Sequence, residues 1–189
     1  MLSCDVLWIL DLRGYAARKP MEVMTTMNNV SIFWLQLFSS VLVFGLVTAW
    51  YVWPALTKGP KNSALIALLF VHVPRYVGMT ALVPGMLDPK LSGEFLFGVA
   101  YGDLVAAALS LASIFALRSN WGFAVALVWV ANIWGFADLC KGVFGLLQLN
   151  VPSFHLGSFW YVYTYYAPLV LVSHLMIFWI LIKSRSWKA

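Results

Sequence analysis

The sequence predicts an all-α integral membrane protein, a single bundle of five transmembrane helices. Apolar residues make up 62% of the 189-residue chain and charged residues only 10%, whereas a soluble domain is about half apolar and about a quarter charged. The mean hydropathy is +0.86. The apolar residues fall into five long stretches, and a helix needs about 20 apolar residues to cross a bilayer. A soluble, core-rich domain is therefore excluded.

Five spans follow one another along the chain, separated by short turns. They are predicted over residues 30–53, 63–83, 94–117, 121–141 and 158–182. The tract 142–149 stays apolar and either lengthens the fourth helix or lies in the membrane interface. Tryptophan and tyrosine cluster near the ends of the spans, as in the aromatic belts of membrane proteins. These belts support the span limits independently of hydropathy.

The two ends of the chain are predicted to flank one transmembrane domain, residues 30–183. Residues 1–29 are either an N-terminal tail or a segment upstream of a later translation start, at Met21, Met24 or Met27. The apolar run in this segment is too short for a signal-peptide core and no basic region precedes it, so no cleavable signal is predicted. Residues 184–189 form a short basic tail.

Lysine and arginine in the loops predict the orientation, because cytoplasmic loops are enriched in these residues. Five spans place the two chain ends on opposite sides. The side of the C-terminus holds six basic residues, namely Lys58, Lys61, Arg118, Lys183, Arg185 and Lys188. The other side holds five, namely Lys90, Lys141 and, in the tail, Arg13, Arg18 and Lys19. We therefore expect a multi-pass protein of the cell inner membrane, with the N-terminus outside and the C-terminus cytoplasmic.

Ionisable residues lie at mid-depth in the predicted spans. Such groups cost roughly 2.5 kcal/mol or more each on insertion scales, so they usually face a partner, a cavity or a substrate. Counted at about 1.5 Å of rise per residue, Arg75 in span two and Asp103 in span three reach nearly the same level. The loop between these spans is short, which makes them neighbours. We therefore predict a buried ion pair between Arg75 and Asp103.

The same depth count brings further polar residues to this level. His72 shares a helix face with Arg75 because the two are three residues apart, and Asn132 and His174 lie at a similar depth in spans four and five. The candidate polar site is therefore His72, Arg75, Asp103, Asn132 and His174, which we expect to line one internal cavity. Candidates for its rim are Tyr101, Asp138 and Tyr165, and Asp138 has Lys141 as an alternative partner three residues away. The aromatic residues of span five that are candidates for lining the entrance are Tyr161, Tyr165 and Tyr166.

Prolines and glycines indicate local structure near this level. Pro74 lies beside the candidate site and Pro168 lies in span five, and each removes a backbone hydrogen bond and predicts a break in its helix. Gly98 and Gly102, followed by Ala106, form a stripe of small residues that is typical of close helix packing. The stripe serves either packing within the bundle or a homodimer.

The polar residues leave several functions open beside a purely structural lock in a membrane subunit. A histidine near a carboxylate and an arginine favours binding or converting a lipophilic small molecule, by general acid–base chemistry in the second case. A proton-coupled carrier is an alternative, since His72, Asp103 and His174 can pass a proton and broken helices suit transport. Haem held between His72 and His174 is a third class. No catalytic motif or cofactor motif chooses among them.

Other partners are not indicated by the sequence. The basic residues are scattered and form no dense face for nucleic acid, and the net charge of +5 fits anionic membrane lipids instead. Cys4 and Cys140 belong to no CxxC or Cys/His pattern, so neither a metal site nor a structural disulfide is predicted. A midspan lysine of the retinal-binding type, paired DDxxD carboxylates, and Walker and Rossmann glycine patterns are all absent.

Overall fold

Five long helices account for the bundle in the computed structural model, which describes residues 28–183. They are α1 (Asn29–Leu56), α2 (Lys61–Leu82), α3 (Gly93–Arg118), α4 (Ala124–Gln148) and α5 (Phe159–Ile182). Each is long and apolar enough to cross a membrane, and the described residues contain no strand. The predicted all-helical bundle is confirmed, and the apolar tract 142–149 lengthens α4. The predictions for residues 1–27 and 184–189 lie outside the described residues.

The helices run alternately in opposite directions, so that α1 and α5 are parallel. At one end the ring of Phe33 in α1 lies 5.2 Å from the ring of Trp160 in α5. At the other end Trp53 lies 6.3 Å from Trp179. We name the end where α1 begins the N-side and the end where α5 finishes the C-side.

Two separate apolar clusters stabilise the bundle, one near each end. The fully buried side chains of the C-side cluster include Leu65, Leu69, Val128, Ile177 and Ile180. Those of the N-side cluster include Phe33, Leu146, Val151 and Phe159. The polar residues predicted at mid-depth lie between these two clusters, where the apolar packing is interrupted.

Helix α2 changes its type halfway along. Lys61–Leu69 is α-helical, whereas Val73–Leu82 is a 3-10 helix. Pro74 has no N–H to donate, and the N–H of Arg75 donates to the carbonyl of His72, three residues back, at 3.2 Å. A run of 3-10 helix rarely exceeds about four residues, so this ten-residue run is unusual. The sequence predicted a break at Pro74 but not a change of helix type.

The 3-10 geometry gives α2 a straight buried face. Residues three apart are eclipsed in a 3-10 helix, whereas in an α-helix they drift around the axis. Three residues at this spacing, Arg75, Gly78 and Ala81, are all buried, and His72 precedes them by three. The change of helix type therefore aims Arg75 and the small residues that follow it at one neighbouring surface.

Helices α1 and α5 each contain a π-helical turn just before a proline. In α1 the turn Thr48–Val52 precedes Pro54, and in α5 the turn Val162–Tyr166 precedes Pro168. The N–H of Ala167 donates to the carbonyl of Val162, five residues back. Longer hydrogen bonds of this kind carry the helix past a residue that cannot donate. The helices therefore continue through both prolines, and α1 extends past the end predicted for it at residue 53.

Candidate functional site

A polar layer lies between the two apolar clusters and consists of His72, Arg75, Asp103, Asn132, Asp138 and His174. Arg75 is at its centre, and the side chain of Arg75 is only 2% exposed. Its Nε donates to Oδ1 of Asp103 at 2.7 Å, so the predicted ion pair is present. Its Nη2 donates to Oδ2 of Asp138, also at 2.7 Å. Its Nη1 donates to the carbonyl of Gly135 at 2.9 Å. One guanidinium on α2 thus joins α3 and α4.

Asp138 holds a more central position than the rim position expected for it. It pairs with Arg75 instead of serving as the partner of Lys141. Depth counting compares Cα positions, whereas an arginine side chain extends several bonds from its backbone. Gly135 and Asp138 are three residues apart on α4 and therefore share a face, so one guanidinium reaches both.

Three glycines on neighbouring helices make room for the charged groups. A Cβ atom at any of these positions would overlap or crowd the opposing side chain. The facing pairs are Gly78 with Asp103, Gly102 with Asp138, and Gly135 with Arg75 and His174. The small-residue stripe of α3 therefore faces α4 within the chain. A homodimer through Gly98 and Gly102 stays a prediction.

Behind Arg75, His174 and Asn132 form a neutral hydrogen-bonded pair. Asn132 Nδ2 donates to the backbone carbonyl of His174 at 3.3 Å, which leaves Asn132 Oδ1 as the acceptor 2.8 Å from His174 Nδ1. His174 therefore carries its proton on Nδ1, as assigned from these partners. Its Nε2 is free to accept from Arg75 Nη1, 3.3 Å away. The histidine thus supports the guanidinium as a neutral acceptor.

His72 lies beside this pair and is 1% exposed. Its Nε2 is 2.9 Å from Ser173 Oγ, and that hydroxyl donates to the carbonyl of Leu68 at 3.2 Å. The single hydroxyl proton is thereby used, so His72 Nε2 is the donor. His72 Nδ1 is buried without a hydrogen-bond partner among the described residues. The rings of His72 and His174 have centroids 4.2 Å apart, which leaves no space for a porphyrin between them.

A cavity of about 610 Å³ lies on the N-side of Arg75. Its deep end is formed by Arg75, Asp103 and Asp138, and most of its walls are apolar side chains from α1, α3, α4 and α5. Sites for small molecules have volumes of about 300–1,000 Å³. Of the five residues expected to line one cavity, Arg75 and Asp103 do so. The other three, His72, Asn132 and His174, belong to the hydrogen-bonded layer behind Arg75.

Tyrosines line this cavity, and among those expected from the sequence only Tyr166 is one of them. Tyr101 and Tyr165 are more than half exposed, with their rings against Phe97 and Phe44. The cavity is lined by Tyr166 and by Tyr163, which the sequence did not indicate. Depth in a span does not give the direction in which a side chain points, and the π turn of α5 shifts that direction further. The pattern of Tyr163, Tyr166 and Val170, spaced by three and four residues, was the available signal for this face.

Tyr166 also has a structural contact. Its hydroxyl donates to the carbonyl of Val71 at 2.7 Å. In the 3-10 helix the donor to that carbonyl would be the residue three further on, Pro74, which has no N–H. α-Helical spacing predicts that Pro74 frees the carbonyl of Phe70, four residues back, whereas the 3-10 geometry leaves that of Val71 without a backbone donor. Helix α5 supplies this donor. Tyr166 links the irregular part of α2 to the cavity wall.

The chain belongs to the family described as a domain of unknown function (DUF8737), whose model matches residues 32–182. That range contains all five helices almost completely and every residue of the site described above. No curated protein and no solved structure matches the chain.

Proposed function

We propose that this chain is a multi-pass membrane protein that binds a lipophilic small molecule in the N-side cavity. The observation that carries this proposal is the cavity of about 610 Å³ with mostly apolar walls and a charged deep end. A concave apolar site with a few convergent polar groups is the usual form of a small-molecule site. The apolar part of the ligand contacts the walls, and its polar part reaches Asp103, Arg75 and Asp138.

The ligand enters from the lipid, between α1 and α4. Both helices contribute to the cavity walls, yet α1 packs mainly against α5. Phe38 of α1 and Phe144 of α4 line the cavity and are 63% and 61% exposed. In a bilayer such exposed apolar side chains face hydrocarbon. The entrance is therefore apolar, which suits a molecule that is already dissolved in the membrane.

We further propose that the N-side faces outward and the C-side faces the cytoplasm. The support is the excess of basic residues near the C-side, where positively charged loops favour the cytoplasm. Lys58, Lys61, Arg118 and Lys183 lie at that end of the bundle. In this orientation the cavity occupies the outer half of the membrane.

Binding is better supported than transport. A carrier has to expose its site to each side in turn. Leu68 and Leu69 precede His72 and belong to the C-side cluster, as does Ile177, which follows His174 by three residues. The polar layer is therefore backed by close apolar packing on the C-side. A purely structural role of the polar residues also fits less well, because polar contacts that only hold helices together need no adjoining cavity.

Photoaffinity labelling tests the proposal. We expect a hexadecanol that carries a diazirine to label the cavity walls of α3, α4 and α5 when the protein is in phosphatidylcholine nanodiscs. Ala167 lines the cavity, so Ala167→Trp fills part of it and lowers labelling at these segments several-fold. The matched control is Ala108→Trp, because Ala108 is exposed on α3 and does not line the cavity. Uniform labelling of all exposed faces, unchanged by Ala167→Trp, would exclude a binding cavity.

The same system distinguishes binding from conversion. Asp103 and Asp138 are the carboxylates at the deep end of the cavity, where the polar part of the ligand lies, so conversion by general acid–base chemistry would depend on them. Mass analysis of the extracted probe shows whether it has changed. Recovery of unchanged probe together with cavity labelling supports a binding protein.

A further inference from the structure

We infer that the cavity takes a ligand with a cationic head group, such as the protonated amine of a long-chain amine. This inference rests on the proposed binding of a lipophilic molecule and concerns the chemical class of that molecule. Three independent features of the deep end support it: its charge, the hydrogen bonds already made by Arg75, and the side chains that face the cavity.

The charge at the deep end is unbalanced. Two carboxylates, Asp103 and Asp138, share one guanidinium, that of Arg75, and the supporting histidine His174 is neutral. With both carboxylates ionised the cluster carries one excess negative charge. An uncompensated charge in an apolar environment is strongly unfavourable. A ligand cation supplies the missing positive charge.

Arg75 has little capacity left for an anionic ligand. A guanidinium has five N–H donors, and four are used, by Asp103, Asp138, the carbonyl of Gly135 and His174. The two carboxylates, by contrast, have unused hydrogen-bonding capacity. Each accepts one hydrogen bond from Arg75, whereas an ionised carboxylate can accept about four. The unused capacity of the cluster therefore consists of acceptors, which match the donors of an ammonium group.

The exposure of the charged side chains also favours a cationic ligand. The side chains of Asp103 and Asp138 are 15% and 13% exposed, whereas that of Arg75 is 2% exposed. All three border the cavity, so the surface that a ligand meets at the deep end is mostly carboxylate. The remaining charged residues of the lining are Glu94 and Lys141, which contribute one charge of each sign, and the Lys141 ammonium also interacts electrostatically with Asp138. The excess charge is thus negative over the whole cavity.

Competition among three probes with the same chain tests the inference. Dodecylamine, 1-dodecanol and dodecanoate are compared as competitors of the diazirine probe in neutral phosphatidylcholine nanodiscs, each corrected for its own partitioning into empty nanodiscs. We expect dodecylamine to compete at a membrane concentration about tenfold or more below that of the alcohol, because hydrogen bonds between charged groups are the stronger class. Dodecanoate is expected to be the weakest competitor.

A variant shows whether the excess charge causes the preference. Asp138→Asn removes that charge and keeps the shape of the side chain, so competition by the amine should fall about tenfold or more and its advantage over the alcohol in the same variant should disappear. Asp88→Asn is the matched control, since Asp88 lies in the N-side loop and does not line the cavity. If Asp138→Asn does not fold, the comparison of the three probes on the unaltered chain decides alone.

The outcomes separate this inference from the proposed function. Cavity labelling with equal competition by all three probes would keep the binding site and overturn the cationic head group. Strongest competition by dodecanoate would overturn it as well and assign the head group to Arg75. No cavity labelling by the diazirine probe would overturn the proposed function, and the head-group inference with it.

Discussion

The C-side and N-side halves of this bundle are built from the same five helices but packed in different ways. In the C-side half α2 is α-helical, and large aliphatic side chains from α2, α4 and α5 fill the space between the helices. In the N-side half α2 is a 3-10 helix, glycines face charged groups, and a cavity of about 610 Å³ separates α1 from α4. Arg75 lies at the boundary between the two.

The comparison shows how one chain combines rigidity with an open site. Close packing on the C-side and the apolar cluster of the N-side together hold the helices in place around the cavity. The glycines let Asp103 and Asp138 approach the backbone of adjacent helices, so the charged cluster closes the cavity at its deep end. Arg75 is supported from behind by neutral acceptors. The charged groups that border the cavity therefore lie on one side of this layer.

The largest effect on stability is expected from replacing Arg75, which lies at the boundary between the two halves. Arg75→Met leaves two carboxylates unpaired in an apolar environment, and breaking a buried ion pair from one side costs roughly 3–5 kcal/mol. Asp103→Asn should cost less, because Arg75 and Asp138 then remain as a balanced pair. Thermal unfolding in detergent measures both, with Ser110→Ala, a nearby buried substitution on α3, as the control. Equal stability of Arg75→Met and the unaltered protein would show that the cluster does not hold the halves together.

An intermediate effect should distinguish the two halves directly. Ile177 is fully buried in the C-side cluster, so Ile177→Ala leaves a new void and lost packing contacts, on the order of 1–3 kcal/mol. Leu139 lines the N-side cavity, and Leu139→Ala only enlarges a space that already exists, which should cost less than about 1 kcal/mol. The two variants delete similar aliphatic groups and are compared by the same unfolding measurement. Similar losses would mean that the N-side half is packed as tightly as the C-side half.

Much of this architecture follows from residue type and residue count. Hydropathy gave the five helices, and depth counting gave the pairing of Arg75 with Asp103, because both depend only on composition and on a constant rise per residue. The same count brought His72 and His174 to one level, and their rings are 4.2 Å apart. These predictions need no knowledge of how the helices are rotated.

The features that the sequence did not predict depend on how each helix is rotated about its axis and on how far a side chain extends from its backbone. Tyr165 and Tyr166 have nearly the same depth, yet the first faces outward and the second lines the cavity. Asp138 was placed too far from Arg75 because a long side chain spans several ångströms. Pro74 indicates a missing donor, but its effect on the following eight residues depends on packing of α2 against α3. The partner of a helix, and the azimuth at which the two pack, cannot be read from one amino-acid sequence.

The smallest effect is expected where the irregular half of α2 meets the cavity wall. Tyr166→Phe removes the donor to the Val71 carbonyl, and no backbone donor replaces it, because Pro74 has no N–H. A lost buried hydrogen bond of this kind costs about 1 kcal/mol. Tyr165→Phe is a closely matched control: the chemical change is the same on the adjacent residue, whose side chain is 58% exposed, so its effect should stay within about 0.5 kcal/mol.

Amide hydrogen exchange gives the finer test of this contact, since Tyr166→Phe should speed exchange in Val73–Leu82 and leave Lys61–Leu69 unchanged. If exchange rises equally in both segments, α2 opens as one unit, and the division of the bundle into a rigid C-side half and an adaptable N-side half does not extend to this helix.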